Sequence, residues 1–200
     1  QGRVMTTSAA GDEGDSYGWI NYSFIKKRQI DLQFNPVGGE ERFWLGPEGG
    51  VFSLYFRQGE KQIYKNWKVP PVLDIEAFKI QSQSKNCICL TKEGCLTNAC
   101  GTTFYLNIKR TISLLDINEF AASFNLEFPK DIKAVAYKSD NQITNIGNES
   151  WNKETGLISV WMLSMFNPTS ATTVFIPYKQ SRKGKIVNDE YFGKIPTDRL

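Results

Sequence analysis

Alternating apolar and polar positions run through most of the chain. The clearest example is Thr102–Leu115, where Phe104, Leu106 and Ile108 recur at every second position. A period of two places successive side chains on opposite faces of a β-strand. The pattern therefore predicts a long strand over Thr102–Leu115 with these three side chains on one face.

Similar stretches between Gly, Pro and Asn residues predict further strands. They cover Gln1–Thr7, Ser16–Ile25, Gly50–Arg57, Glu76–Ser82, Asn86–Thr91, Leu157–Phe166 and Thr172–Tyr178, and Ile132–Ile146 is predicted to hold one or two strands. The segment Lys65–Asp74 contains two consecutive prolines and predicts a rigid extended connector.

One short helix is predicted directly after the longest strand. Asp116 can cap its first turn, and Glu119 follows three positions later. Phe120, Ala121 and Phe124 then form an apolar stripe at helical spacing. Many strands with one short helix indicate an antiparallel sandwich or barrel, so we expect an all-β fold.

The length of 200 residues suits a single domain, and we expect one β-sandwich domain over residues 1–200. The chain begins inside a predicted strand and has no initial Met. It also stops without a clear terminal element. We therefore expect it to be a fragment of a longer protein.

The charge and residue composition exclude several classes of function. With 24 basic and 21 acidic residues, the chain lacks the basic excess of nucleic-acid-binding proteins. No apolar stretch approaches the roughly 20 residues of a membrane span. The chain has no histidine, so any catalysis must use other acids and bases.

The segment Gly38–Gly50 is the strongest candidate for a ligand site. Its glycines allow positive φ angles and close backbone approach. Arg42 offers a planar set of donors, and Trp44 offers a flat face to a sugar ring. An alternative is a hairpin in which Arg42 pairs with a neighbouring glutamate. The predicted substrate-binding residues are Arg42, Trp44, Glu48, Glu41 and Tyr191.

The four cysteines lie within fourteen residues, at positions Cys87, Cys89, Cys95 and Cys100. Their spacing lacks the paired C-x2-C pattern of common zinc sites. They are interpreted as structural cysteines, either free or joined in a disulfide. No metal site and no cofactor is predicted.

Four segments together resemble an uncharacterised family of secreted bacterial proteins. They are Gly38–Gly50, Tyr137–Gly147, Lys153–Leu157 and Val187–Lys194. Members of that family are longer than this chain, in keeping with a fragment. The resemblance implies a secreted, periplasmic or cell-envelope protein, with a lipid anchor as an option in the longer chain.

A more distant resemblance is to the galactose mutarotase-like β-supersandwich of the aldose epimerases. The glycine-rich segment before an early strand and the turn Asn145-Ile146-Gly147 carry it. In those enzymes an early arginine binds sugar hydroxyls, and Arg42 is its counterpart by position. The resemblance implies an antiparallel supersandwich, or the N-terminal part of one. Their catalytic histidine has no counterpart here, and their late glutamate would lie beyond Leu200.

Three hypotheses about function follow. The first is a carbohydrate-binding protein of the bacterial cell envelope, with the sugar near Gly38–Gly50. The second is a sugar-processing enzyme, either an epimerase-like isomerase or a lyase or hydrolase. Its acid and base would come from residues beyond the chain or from Glu40, Glu41, Glu48, Lys179 and Tyr191. The third is a structural or interaction module.

Overall fold

The computed structural model describes residues 2–179 of the chain. The chain divides into two compact units, Gln1–Asn167 and Pro168–Leu200. All the helices and strands that the structure describes belong to the first unit. The predicted strand Thr172–Tyr178 lies in the second unit and is wrong, because this segment pairs with no described strand.

Among residues 2–179, six strands form two antiparallel sheets, which confirms the predicted all-β fold. The strands are β1 (Glu41–Gly46), β2 (Lys79–Gln83), β3 (Cys87–Thr97), β4 (Thr103–Leu115), β5 (Ala136–Asn145) and β6 (Ser159–Ser164). Strands β2, β3, β4 and β5 form a four-stranded sheet in that order, and β1 pairs with β6. Long antiparallel pairs explain why alternation was visible in the sequence of β4.

The core includes apolar side chains from both sheets. On β4, the side chains of Phe104, Leu106 and Ile108 are buried, as the alternation predicted. They belong to the same core cluster as Phe43 and Leu45 of β1. The two sheets are therefore joined by burial of apolar surface, which dominates the stability of such folds.

The described residues contain three short α-helices: α1 (Tyr22–Lys26), α2 (Pro71–Asp74) and α3 (Ile117–Ser123). Helix α3 is the one predicted from the sequence. Its cap is also confirmed, because the Asp116 carboxylate accepts from the backbone N–H groups of Asn118 and Glu119 at 2.9 and 3.1 Å.

Three segments predicted to be extended strands or connectors adopt other structures. Ser16–Ile25 includes the start of α1, where the Asn21 side chain accepts from the Phe24 backbone N–H. Gly50–Arg57 forms turns. Lys65–Asp74 includes α2, which begins at Pro71. Local capping groups and a proline at the first helical position favoured helix over extended chain in α1 and α2.

The turn before β1 depends on a glycine. Gly38 has a φ angle of +83°, and a Cβ there would lie 2.4 Å from the Trp19 carbonyl oxygen. We expect Gly38→Ala to lower the free energy of unfolding by about 1–3 kcal/mol. An alanine there would be strained by the positive φ angle, and its Cβ would collide with the backbone. Urea denaturation would measure this loss.

Gly50 supplies the control for this substitution. Its φ angle is +84°, but open space surrounds the position of a Cβ. Gly50→Ala should therefore measure the free-energy cost of the positive φ angle alone. It should destabilise the protein less than Gly38→Ala. Equal losses for the two variants would mean that the contact with Trp19 is unimportant.

Candidate functional site

Strand β1 is buried on both of its faces. Glu41 and Phe43 face β4, where the Arg110 guanidinium donates to the Glu41 carboxylate and lies 5.3 Å from the Phe43 ring. Arg42 and Trp44 point to the opposite face, because successive side chains of a strand alternate. The predicted ligand segment thus contains a strand in the interior of the protein. The alternative prediction, a hairpin in which Arg42 pairs with a neighbouring glutamate, does not describe this strand.

Arg42 and Trp44 lie in a group of aromatic side chains that we call the Arg42 cluster. Its members are Phe34, Arg42, Trp44, Tyr55 and Trp67. The Arg42 guanidinium carbon lies 3.7 Å from the centroid of the Trp44 ring and 5.2 Å from that of Phe34. These distances are typical of cation–π contacts.

Loops bring the other rings of the cluster to β1. Tyr55 is fixed by a hydrogen bond of 2.8 Å from its hydroxyl to the Leu45 carbonyl. Trp67 follows a 3-10 turn and stacks on Tyr55, with centroids 5.7 Å apart and planes 7° apart. From the neighbouring strand β6, Trp161 packs edge-on against Trp44 at 5.7 Å.

A buried ion pair adjoins the cluster. Arg3 donates to the Asp74 carboxylate at 3.1 Å, and both side chains are almost fully buried. Asp74 also accepts from the backbone and side-chain nitrogens of Asn35 at 2.8 and 2.7 Å. These contacts fix the segment that precedes β1 and engage both oxygens of the carboxylate.

Two of the donors on the Arg42 guanidinium have no hydrogen-bond partner. Arg42 is only 5% exposed, and its Nε and Nη1 atoms are buried without an acceptor. The indole nitrogens of Trp44 and Trp67 are also buried without an acceptor. Buried donors are normally satisfied by protein, water or ligand, so this group is a candidate site for acceptor atoms of a ligand.

Burial, together with the nearby positive charge of Arg3, lowers the pKa of Arg42 to about 10. Asp74 and Tyr55 oppose this shift. Because 10 is well above neutral pH, Arg42 carries its charge under physiological conditions. The site therefore holds a buried cation whose donors are only partly used.

The structure brings together two of the five predicted binding residues, Arg42 and Trp44. Trp44 is 2% exposed and one face is covered by Arg42, so it offers no open platform to a sugar. Glu41 lies on the other face of β1 and binds Arg110 and Ser139. Glu48 lies in the turn after β1, and Tyr191 lies outside the described residues.

Glu40 does not extend the site. Its carboxylate accepts from the Thr7 hydroxyl and from Tyr137. Burial raises the pKa of Tyr137 well above its ordinary value, and the charges of Glu40 and Glu41 raise it further. Glu40 and Glu41 are therefore committed to contacts within the protein.

Sequence reasoning did not select Tyr55, Trp67, Arg3 or Asp74. Trp67 and Asp74 fall in the segment that was predicted to be only a connector. No spacing rule joins these positions to Arg42, because the chain folds back between them. The only signal in the sequence was the concentration of aromatic residues on both sides of Gly50.

A cavity of about 480 Å³ adjoins the Arg42 cluster at Tyr55. Its lining is largely apolar, and the two charged residues that the described part of the chain contributes to it, Arg57 and Lys68, are both basic. A second cavity, of about 660 Å³, lies beside the turn at Asn145 and is lined by Tyr105 and Trp151. Both volumes fall within the range of about 300–1,000 Å³ common for ligand pockets.

All four cysteines are free in this structure. Cys87 and Cys89 face the same side of β3, as predicted, opposite Ser113 and Thr111 of β4. Within residues 2–179, no group of three or more candidate ligands could hold a metal ion. No helix in that part of the chain has the length and apolarity to cross a bilayer.

The fold and the cluster define an all-β protein with a buried cationic and aromatic candidate site. The chain belongs to a family of unknown function, DUF6786, whose model matches residues 1–200. No curated protein and no solved structure matches the chain significantly.

Proposed function

We propose that this protein binds carbohydrate at the Arg42 cluster. A sugar presents an apolar C–H face together with a ring of oxygen acceptors. The cluster offers buried N–H donors of Arg42, Trp44 and Trp67, and the largely apolar cavity that adjoins it at Tyr55 offers room for the sugar. Apolar walls with a few placed polar groups are the usual composition of a small-molecule site.

The observation that carries this proposal is the unused donor capacity of Arg42. A buried guanidinium without enough acceptors costs stability, so its presence needs an explanation. No ion pair within residues 2–179 involves Arg42, which weighs against the hypothesis that it only pairs with a neighbouring glutamate. A ligand that supplies acceptors would account for it.

The enzyme hypothesis has less support. Glycoside hydrolysis needs two carboxyl groups facing a substrate across roughly 5–10 Å. Glu40 and Glu41, the acids nearest to Arg42 in sequence, are both engaged by protein donors. Binding without chemistry therefore accounts for the geometry better.

Substitution of Arg42 by methionine separates a binding role from a structural one. Methionine keeps an unbranched side chain of similar reach but removes the buried charge. We expect Arg42→Met to raise the free energy of unfolding by about 1–2 kcal/mol, since removing poorly compensated buried ions often stabilises proteins. Thermal unfolding would show a Tm increase of roughly 2–8 °C.

The same variant should lose carbohydrate binding. Calorimetry against neutral and acidic mono- and oligosaccharides would compare it with the wild type and with Trp151→Phe, whose indole packs on Phe104 outside the cluster. Unchanged sugar binding by Arg42→Met would contradict this site. Trp44→Phe, which keeps a buried ring and removes one donor, should weaken binding without unfolding the protein.

The cell-envelope location and the mutarotase-like fold family remain part of the proposal. Two antiparallel sheets with aromatic side chains between them are compatible with part of a supersandwich. Fractionation of bacterial cells that express the natural protein would test the location. Recovery in the cytoplasm would contradict it.

A further inference from the structure

The buried atoms that lack partners are all of one chemical kind. Among residues 2–179, five buried side-chain nitrogen or oxygen atoms have no hydrogen-bond partner. They are Nε of Arg3, Nε and Nη1 of Arg42, and Nε1 of Trp44 and of Trp67. Every one is an N–H donor, and none is an acceptor. A matching ligand therefore has to supply oxygens that accept.

These donors belong to one place in the fold. Phe34 contacts both Trp44 and Trp67, with ring centroids 5.7 Å apart in each case. Arg3 is close enough to Arg42 to lower its pKa, and Arg42 stacks on Trp44. Four of the five unused donors thus belong to side chains of the Arg42 cluster, and the fifth belongs to Arg3, whose charge acts on Arg42.

The cluster also carries an excess of positive charge. Arg3 and Arg42 contribute two formal charges, and Asp74 is the carboxylate that acts on both. Among the described residues, the local sum is therefore +1. Asp74 already accepts from Arg3 and from two nitrogens of Asn35. A neutral ligand would leave this charge excess in place, whereas an anionic ligand would cancel it.

The adjoining cavity has the same sign. Within residues 2–179, the charged residues in its lining are Arg57 and Lys68, both basic, and no described acidic side chain lines it. Exposed charges of one sign around a cavity attract ligands of the opposite sign and speed their association. The surroundings of the cluster therefore favour an anion as well.

We infer that the saccharide bound at the Arg42 cluster is acidic, with a carboxylate that accepts hydrogen bonds from the Arg42 guanidinium. This inference rests on the proposed carbohydrate function and narrows it to sugars of the hexuronate type. Nε and Nη1 lie on different edges of the guanidinium, so one carboxylate and a neighbouring hydroxyl oxygen together suit them better than one oxygen. Charge-assisted hydrogen bonds of this kind are roughly twice as strong as neutral ones.

Calorimetry with matched probes tests the inference. The probes are D-galacturonate, D-glucuronate and the trimer of galacturonate, each compared with its methyl ester and its neutral parent sugar. Acetate serves as a carboxylate without a sugar. We expect at least tenfold tighter binding of a hexuronate or its trimer than of the methyl ester, and loss of that preference in Arg42→Met.

Trp67→Phe provides a second variant that removes one indole donor and keeps the ring. It should weaken hexuronate binding several-fold, while Trp151→Phe should bind like the wild type. Circular dichroism would establish that each variant is folded.

The outcomes distinguish the inference from the function on which it rests. Equal binding of acids, esters and neutral sugars, all lost in Arg42→Met, would overturn the acidic ligand and leave carbohydrate binding standing. Acetate bound as tightly as the hexuronates would overturn the sugar and also the inference. Absence of binding by every sugar to the folded wild type would overturn both.

Discussion

Replacement of Glu41 by alanine is expected to lower the free energy of unfolding by about 3–5 kcal/mol, the usual cost of breaking a buried ion pair. Its partner Arg110 is 0% exposed, and its guanidinium donates to Glu41, to the Gly2 carbonyl and to Asn141. Without the carboxylate, Arg110 keeps its charge in the core and has only neutral acceptors. Urea denaturation with an unchanged m-value would measure the loss.

A surface pair provides the control for this result. The Nζ atom of Lys138 and the Oδ2 atom of Asp140 lie 3.9 Å apart, and both side chains are exposed. Asp140→Ala should therefore lower the free energy of unfolding by less than about 1 kcal/mol. The double variant Glu41→Ala/Arg110→Met should recover much of the loss, because it removes the orphaned charge as well. A loss below 1 kcal/mol for Glu41→Ala would mean that Arg110 does not depend on Glu41.

Replacement of Asp74 by alanine is expected to have an effect of similar size, again about 3–5 kcal/mol. Asp74 is 2% exposed and accepts from Arg3 and from Asn35. Its removal leaves two buried arginines, Arg3 and Arg42, to repel each other. Thermal unfolding of the variant would measure the decrease in stability.

A double-mutant cycle ties this effect to the candidate site. Arg42→Met should stabilise the Asp74→Ala protein more than it stabilises the wild type. The reason is that, in the protein without Asp74, it also removes the repulsion between Arg42 and Arg3. We expect a coupling of about 0.5–3 kcal/mol, typical of residues in one network. Strict additivity would indicate that Asp74 and Arg42 are energetically independent, and would weaken the charge argument for an acidic ligand.

The accuracy of prediction differed sharply between regular and irregular segments. Strand β4 and helix α3 were predicted with bounds close to those observed, because alternation and an N-terminal cap are local signals. Gly50–Arg57 has a similar apolar content but forms turns that place Tyr55 against Leu45. Whether an apolar run becomes a strand depends on a partner strand, which a local pattern does not specify.

The candidate site was only partly predictable for the same reason. Arg42 stood out because a charge lay between aromatic and glycine residues, and its position on β1 brings it next to Trp44. Its burial was not foreseen. An overlooked signal was Arg110, whose position two residues after Ile108 already placed a charge on the apolar face of β4.

Local sequence patterns were enough to predict the all-β class, the longest strand with its buried face, the capped helix and the segment that contains Arg42. Those features depend on residues that lie close together in the sequence, within one or two helical turns or one or two repeats of a strand. The burial of Arg42, the pairing of Asp74 with Arg3 and the stacking of Trp67 on Tyr55 became visible in the folded domain alone. Such contacts join distant parts of the chain, and burial and hydrogen bonding select them only after the whole domain has packed.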